Sequence, residues 1–418
     1  MTGTGGAGGR ERLSRRLGTG DAVVLGLGAM LGAGIFSALG PAARAAGAGL
    51  LISLGVAAIV AYANATSSAD LAALYPQSGG TYVYGRKRLG PFWGFAAGWS
   101  FVAGKTASCS AMALTFGSYA APSHTRALAL AATAALVGVN YFGVTKTAAV
   151  TRWLVAAVLA TLTFVIASAL IGDSPAAARL SPLGSGGVYG ILQAAGILFF
   201  AFAGYARIAT LGEEVRDPAR TIPRAIPRAL GITLAVYAAV AVSALLAIGA
   251  PALGHAAAPL GAVVAAGSWH SLTPLVRVGA AIACLGVLLS LLAGISRTAF
   301  AMAANGDLPS PLAAVHPRHR VPHVAELVLG VLVLAVTALA DIRSAIGFSS
   351  FAVLTYYAIA NASALTLGGG ERRSPRAIAV VGFAGCLMLA VTLPWQAAVA
   401  GAGVLAVGGF GRWIAKRT

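Results

Sequence analysis

Apolar runs of helix length follow one another along almost all of this 418-residue chain. They fall at about 22–44, 48–73, 91–120, 127–143, 152–172, 188–211, 228–250, 275–303, 324–340, 345–367, 376–392 and 394–411. A helix needs about 20 residues to cross a bilayer. Lipid cannot satisfy open backbone, so only helices or closed barrels cross it. The runs show no alternating pattern and predict an all-α membrane protein of about twelve transmembrane helices. Composition agrees, because the chain is 58% hydrophobic and 10% charged, where a soluble domain carries about 25% charge.

The formal charge of +18 raises the question of nucleic acid. Its distribution argues against that, since the arginines sit in short segments between apolar runs. Lys and Arg collect on the cytoplasmic side of membranes. With the N-terminus inside, 22 of the 29 basic residues fall in inside segments. Arg44, Arg126, Arg179, Arg277 and Arg343 lie outside, Arg207 sits near the inner end of the sixth run, and Lys105 is left deep in the membrane. Both termini are therefore expected in the cytoplasm, and the host membrane is expected to be a bacterial cytoplasmic one. Residues 1–20 are Gly-rich and basic, lack an apolar core for a signal peptide, and read as a disordered tail. Cys109, Cys284 and Cys386 fall inside apolar runs, with neither metal spacing nor a disulfide framework.

The stretch GLGAMLGAGIFSALGP, from Gly26 to Pro41, is apolar yet crowded with glycine. Each Gly costs a helix about 1 kcal/mol relative to Ala. The sixth run repeats the feature, with Gly204 interrupting FFAFAGY. These are the matching members of two five-helix halves, 21–172 and 188–367, followed by a helix pair at 376–411. Paired interrupted helices in matching positions point to a transporter binding site. A break frees N–H and C=O groups that a buried ligand can satisfy. The amino end of the second half-helix suits a carboxylate, and freed carbonyls suit an ammonium. The competing reading is that the glycines serve close helix packing.

Four stretches resemble the amino acid–polyamine–organocation superfamily. They are GAMLGAGIF (28–36), YPQSGGTYVYGRKRLGPFWGFAAGW (75–99), FFAFAGYARIATLGEEVRDPARTIPRAI (199–226) and GISRTAFAMAANGDLP (294–309). NYFGVTKTAAV (140–150) is similar to the cationic amino acid transporter branch. The resemblance implies a 5+5 inverted-repeat fold of the leucine-transporter type, with two further C-terminal helices. It implies a permease that moves an amino acid by alternating access, and no cofactor. The substrate carboxylate would meet backbone N–H groups of Gly32, Ala33 and Gly34. The amine would meet carbonyls near Met30, Phe200 and Ala203. Phe199, Phe200 and Phe202 become candidate gates, and a Cβ at Gly34 is expected to crowd the carboxylate.

The chain also departs from that branch. Val158 stands where proton-coupled members carry a fifth-helix Lys, and Gly104 where they carry a third-helix Glu. The eleven acids all lie at span ends or in loops, so none is available to pair with a cationic substrate. Lys105 lies about fourteen residues into the third run, about 21 Å along a helix at 1.5 Å per residue. A charge at such depth costs at least about 2.5–3.5 kcal/mol on insertion scales. It is the candidate for proton coupling and for substrate contact, with capping of freed carbonyls as the structural alternative. Glu213, Glu214, Arg216 and Asp217 read as a loop that holds a gate by salt bridges. His316, His319 and His323 read as a basic loop rather than a metal site. Ser290 and Ser296 read as bonding their own helix before lining an ion site. The expected partners are an amino acid, protons and membrane lipids, with no nucleic acid. Ion-independent exchange is the alternative mode, and a membrane metalloenzyme the alternative class.

Overall fold

The computed structural model describes residues 17–75, 79–143, 148–171, 176–209 and 215–415. Among these residues no strand forms beyond one isolated bridge, Leu17 to Val215. The helices are α1 (Thr19–Met30), α2 (Ala33–Ala46), α3 (Leu50–Leu74), α4 (Thr81–Arg88), α5 (Pro91–Ala120), α6 (Thr125–Tyr141), α7 (Ala148–Ile171) and α8 (Gly187–Phe202). They continue as α9 (Ala206–Ala209), α10 (Pro218–His255), α11 (Pro259–Ala265), α12 (Thr273–Ala304), α13 (His323–Leu339), α14 (Ile342–Leu365), α15 (Arg376–Thr392) and α16 (Trp395–Ala415). Span 1 is α1 plus α2, and span 6 is α8 plus α9. Spans 2 to 5 are α3, α5, α6 and α7. Spans 7 to 12 are α10, α12, α13, α14, α15 and α16.

Among the described residues, seven segments are long and apolar enough to cross a membrane by length and composition; α1, α13 and α15 are apolar but shorter. Burial sorts the spans. The apolar window of α14 is 78% buried and that of α16 only 22%. The interior is therefore built around α14 and its long partner α5, and α16 lies at the rim. Small residues permit that closeness. A Cβ on Gly104 of α5 would lie 2.9 Å from the Ala352 Cβ of α14, and the Ser108 and Ser349 hydroxyls bond across the same seam at 2.6 Å.

The boundaries of the third span, 91–120, coincide with α5, which Pro91 opens at a position where its missing N–H costs nothing. The seventh does not start at 228. Helix α10 begins at Pro218 and runs through Pro223 and Pro227. Each proline removes one backbone hydrogen bond. Ile222, Ala225, Ile226 and Ala229 are nevertheless buried along one helical face, and that packing carries the helix. The short helices α4 and α11 are absent from the apolar runs because neither is long enough to span. Helix α11 is tied inward by Tyr119 of α5. Its hydroxyl donates to the Phe36 carbonyl at 3.1 Å and accepts from the Leu260 N–H at 3.0 Å.

Candidate substrate site

The first span breaks where the glycines stand. The last bond of α1 runs from the Leu31 N–H to the Leu27 carbonyl at 2.7 Å. Gly32 then takes ψ −134°, outside the helical region, and α2 starts at Ala33. No side chain caps the amino end of α2. Its first N–H groups therefore have no intrahelical partner, deep inside the protein, with Leu31 at 1% exposure and Ile35 at 0%. Span 6 breaks likewise. Helix α8 ends at Phe202, a tight turn covers Ala203–Tyr205, and α9 follows.

The two breaks touch backbone to backbone. A Cβ on Gly34 would lie 2.6 Å from the Cα and 2.8 Å from the Cβ of Ala201. A Cβ on Gly204 would collide with the carbonyl of Ala29 and lie 2.8 Å from the Met30 nitrogen. The crossing thus needs glycine on both sides for close packing. The crowding expected at Gly34 is corrected in its object: the nearest atoms are the backbone of span 6, not open ligand space. At Gly32 a Cβ would strike Cγ2 of Val287 on α12. Of Ala33 the structure describes the backbone alone.

Tyr237 of α10 joins the breaks, and nothing in the sequence reading marked it. Its fully buried hydroxyl reaches the Met30 carbonyl of span 1 and the Ala201 carbonyl of span 6, the latter at 3.1 Å. Its ring packs edge-on to Phe202 at 5.3 Å. The signal available in sequence was the lone tyrosine of the helix, set in the apolar stretch LAVYAAVAV, whose hydroxyl must find a partner when buried.

The predicted residues separate accordingly. Met30, Gly32, Gly34, Phe202 and Ala203 gather at the crossing. Phe199 turns to Tyr357 of α14 at 5.9 Å and is fully buried. Phe200, 9% exposed, has no ring partner among the described residues. Lys105 is 8% exposed and forms neither a hydrogen bond nor an ion pair among the described residues, with the break residues or otherwise. Val158 is buried at 4% exposure.

Below the crossing, the segment before α1 meets the segment after span 6. Leu17 bridges Val215, and the Arg216 N–H donates to the Leu17 carbonyl at 2.9 Å. Asp21 pairs with Arg152 of α7, and Asp217 with Arg220 at 3.6 Å. Glu213 and Glu214 lie outside the described residues. The three histidines crowd around Tyr141, at 5.5, 6.2 and 6.4 Å between ring centroids. His316 Nδ1 accepts the Arg318 and His319 N–H groups at 3.2 Å each. Among the described residues no group of three or more His, Cys, Asp or Glu has metal-holding geometry. Ser290 and Ser296 donate to carbonyls of their own helix, at 3.2 and 3.1 Å.

Two acids at span ends are buried: Asp70 of α3, at 6% exposure, and Glu326. Glu326 stands in the first turn of α13, at a span end by sequence, yet it is 4% exposed. Ser296 of α12 and Asn140 of α6 stand beside it. The packing of α5, α6 and α12 around this end of α13 encloses it, and a sequence boundary cannot show that.

The amino acid permease family profile matches residues 21–410. Over 398 residues the chain is 60% identical to a protein of Mycobacterium tuberculosis described as an uncharacterized transporter, covering 95% of this chain and 90% of that one. It is 27% identical over 422 residues to the branched-chain amino acid permease BcaP of Bacillus subtilis, covering 93% of this chain and 90% of BcaP. Its fold is similar to that of MhsT solved in complex with L-phenylalanine, at a TM-score of 0.63 and 16% identity, over 93% of this chain and 100% of that one. The matched stretch spans both broken helices and their crossing, and by it the chain belongs to the amino acid permease family, a family of transporters and not of enzymes.

Proposed function

We propose that the protein carries a neutral α-amino acid across a bacterial cytoplasmic membrane by alternating access, with the substrate held where the two broken spans cross. The observation that carries this reading is the uncapped amino end of α2 set against the carbonyls of Met30 and Ala201. One end offers N–H groups to a carboxylate, and the other offers acceptors to an ammonium. Gly32, Ala33 and Gly34 take the carboxylate; Met30, Phe200 and Ala203 lie on the amine side; Phe200 and Phe202 close over the side chain. The name of the BcaP relative supports an apolar side chain, and so does the absence of a carboxylate at the crossing among the described residues. Lys105, buried and without an ion pair among the described residues, is the group proposed to couple protons, with both termini on the cytoplasmic side. Val158, in place of a fifth-helix Lys, favours ion-independent exchange as the second reading.

Thermal shift on purified protein tests the site, because a ligand that binds the folded state raises its melting point by mass action. A free amino acid such as L-leucine is expected to stabilise. Its amide and its N-acetyl form are expected not to. Equal stabilisation by the amide refutes the backbone-site reading. In vesicles, Lys105→Met is expected to lose proton-driven accumulation and keep exchange. Unchanged pH dependence removes Lys105 from coupling.

A further inference from the structure

Glu326 is a buried carboxyl that the substrate site does not use. It lies where α13 packs on α5, α6 and α12, beside the turn at Ser310–Ala313. From α12 it meets Ser296, with Arg297 acting on it electrostatically from an exposed position. From α6 it meets Asn140, and Tyr141 follows next in the chain. From α5, Cys109 lies within electrostatic reach of both Glu326 and Lys105. Ser310–Ala313 brings no titratable group, and on α13 itself the nearest is His323, whose ring packs on Tyr141 at 6.4 Å. Glu326 has no ion pair among the described residues, so no cation locks it in the charged state.

Its two partners suit both protonation states. A hydroxyl both donates and accepts, and so does a side-chain amide. The Ser296 hydroxyl can give its proton to the Glu326 carboxylate. It can also give it to the Ala293 carbonyl, 3.1 Å away, and accept from a protonated Glu326. Asn140 spends one N–H on the Leu289 carbonyl of α12 at 3.2 Å, which leaves its second N–H and its oxygen for the carboxyl.

The same contacts reach the substrate site through packed atoms. Gly32 lies against Val287 of α12. Two residues along, Leu289 takes the amide of Asn140, which stands beside Glu326. Movement of the first break against α12 therefore changes the position of the acceptor that orients Asn140.

We propose that Glu326 is a proton-binding site of the transport cycle, set apart from the substrate crossing and linked to it through α12 and Asn140. The step is a simple exchange: the carboxylate takes a proton from water on the side of uptake, and the acid returns it to water on the other side with no change in electrons. It rests on the permease reading for its place in a cycle, but not for the protonation itself.

The experiment separates the two. Difference infrared spectra of the full-length protein in vesicles, taken across a pH titration without any amino acid, read the C=O stretch of a protonated carboxylic acid. The expected result is a band that titrates in wild-type protein, disappears in Glu326→Gln and returns in Glu326→Asp. No such band, or one unchanged in Glu326→Gln, overturns the proposal. With L-leucine as probe, Glu326→Gln is expected to keep counterflow exchange while pH-driven accumulation falls to the level of passive equilibration. Accumulation at the wild-type level overturns the coupling role, and so does loss of exchange together with accumulation. Wild-type protein that neither binds nor exchanges amino acids refutes the permease reading and leaves the infrared result standing.

Discussion

Replacing Gly34 with alanine tests whether the two broken spans need direct backbone contact. The added Cβ would lie 2.6 Å from Cα and 2.8 Å from Cβ of Ala201, where relaxed carbon atoms sit about 3.5–4.0 Å apart. Both neighbours belong to a helix that is itself fully packed, so no flexible side chain can swing away. Overpacking of this kind costs about 1–3 kcal/mol, and contact with backbone puts this site at about 3. Alanine returns up to about 1 kcal/mol of helix propensity. The net expectation is a loss of about 2 kcal/mol, close to a thirtyfold fall in the population of the packed crossing at 1.4 kcal/mol per tenfold. Gly55→Ala, in the interior of α3 with nothing within 4 Å of its Cβ, is the control of opposite sign and should stabilise by up to about 1 kcal/mol. Melting of the purified variants and L-leucine affinity read both effects. Gly34→Ala with wild-type melting and affinity refutes the backbone crossing and, with it, the site.

Tyr237→Phe keeps the ring against Phe202 but removes the hydroxyl that serves the Met30 and Ala201 carbonyls; it is expected to cost about 1–3 kcal/mol and to weaken binding of the free amino acid, and wild-type values for both would show the hydroxyl to be idle. Asp341→Ala removes the cap of α14, where the side chain accepts from the Arg343 and Ser344 N–H groups at 2.8 and 2.9 Å, and is expected to cost about 1 kcal/mol. Burial pushes this carboxyl up, but the Ser344 and Arg343 hydrogen bonds outweigh it and hold it below the usual carboxylate range. Its contribution is therefore fully present above the unfolded value and lost as pH falls through the folded one, so the melting difference between wild type and Asp341→Asn should change through that acid window and stay flat at neutral pH.

The breaks were legible because glycines crowd the middle of the first span and the same interruption recurs in Gly204 at the matching place in the second half. The spans were legible because lipid enforces length and apolarity one helix at a time. What stayed hidden depends on partners. Gly34 needs Ala201 opposite it, Gly204 needs Ala29, and Tyr237 matters through two carbonyls that precede it by 207 and 36 residues; no local pattern encodes those meetings. The early start of α10 was hidden by its prolines, which argue against helix locally and are overruled by the buried face of Ile222 and Ile226. Glu326 was hidden by its position at a helix end, since burial there is set by α5, α6 and α12 and not by α13.

Tyr237 also bears on which ligands the crossing can distinguish. Its hydroxyl has one proton and faces two carbonyls, so it can donate to Met30 or to Ala201 but not to both at once. Each carbonyl has two lone pairs. The single Tyr237 proton therefore leaves acceptor capacity on the pair, beside N–H groups of α2 that no side chain caps. A buried acceptor and a buried donor set left open in one place are costly unless something binds them. At the proposed site a free α-amino acid, with an ammonium and a carboxylate joined through a single carbon, would meet both at once. Its amide keeps the donor end but presents a neutral oxygen and two further N–H groups to the α2 terminus, which offers donors only. The N-acetyl form keeps the carboxylate but brings one N–H and a carbonyl to a place that offers acceptors. Each analogue thus leaves one half of the site mismatched, and the half that fails identifies which break is responsible. Loss of binding by the amide alone assigns the discrimination to the amino end of α2; loss by the N-acetyl form alone assigns it to the carbonyls that Tyr237 shares.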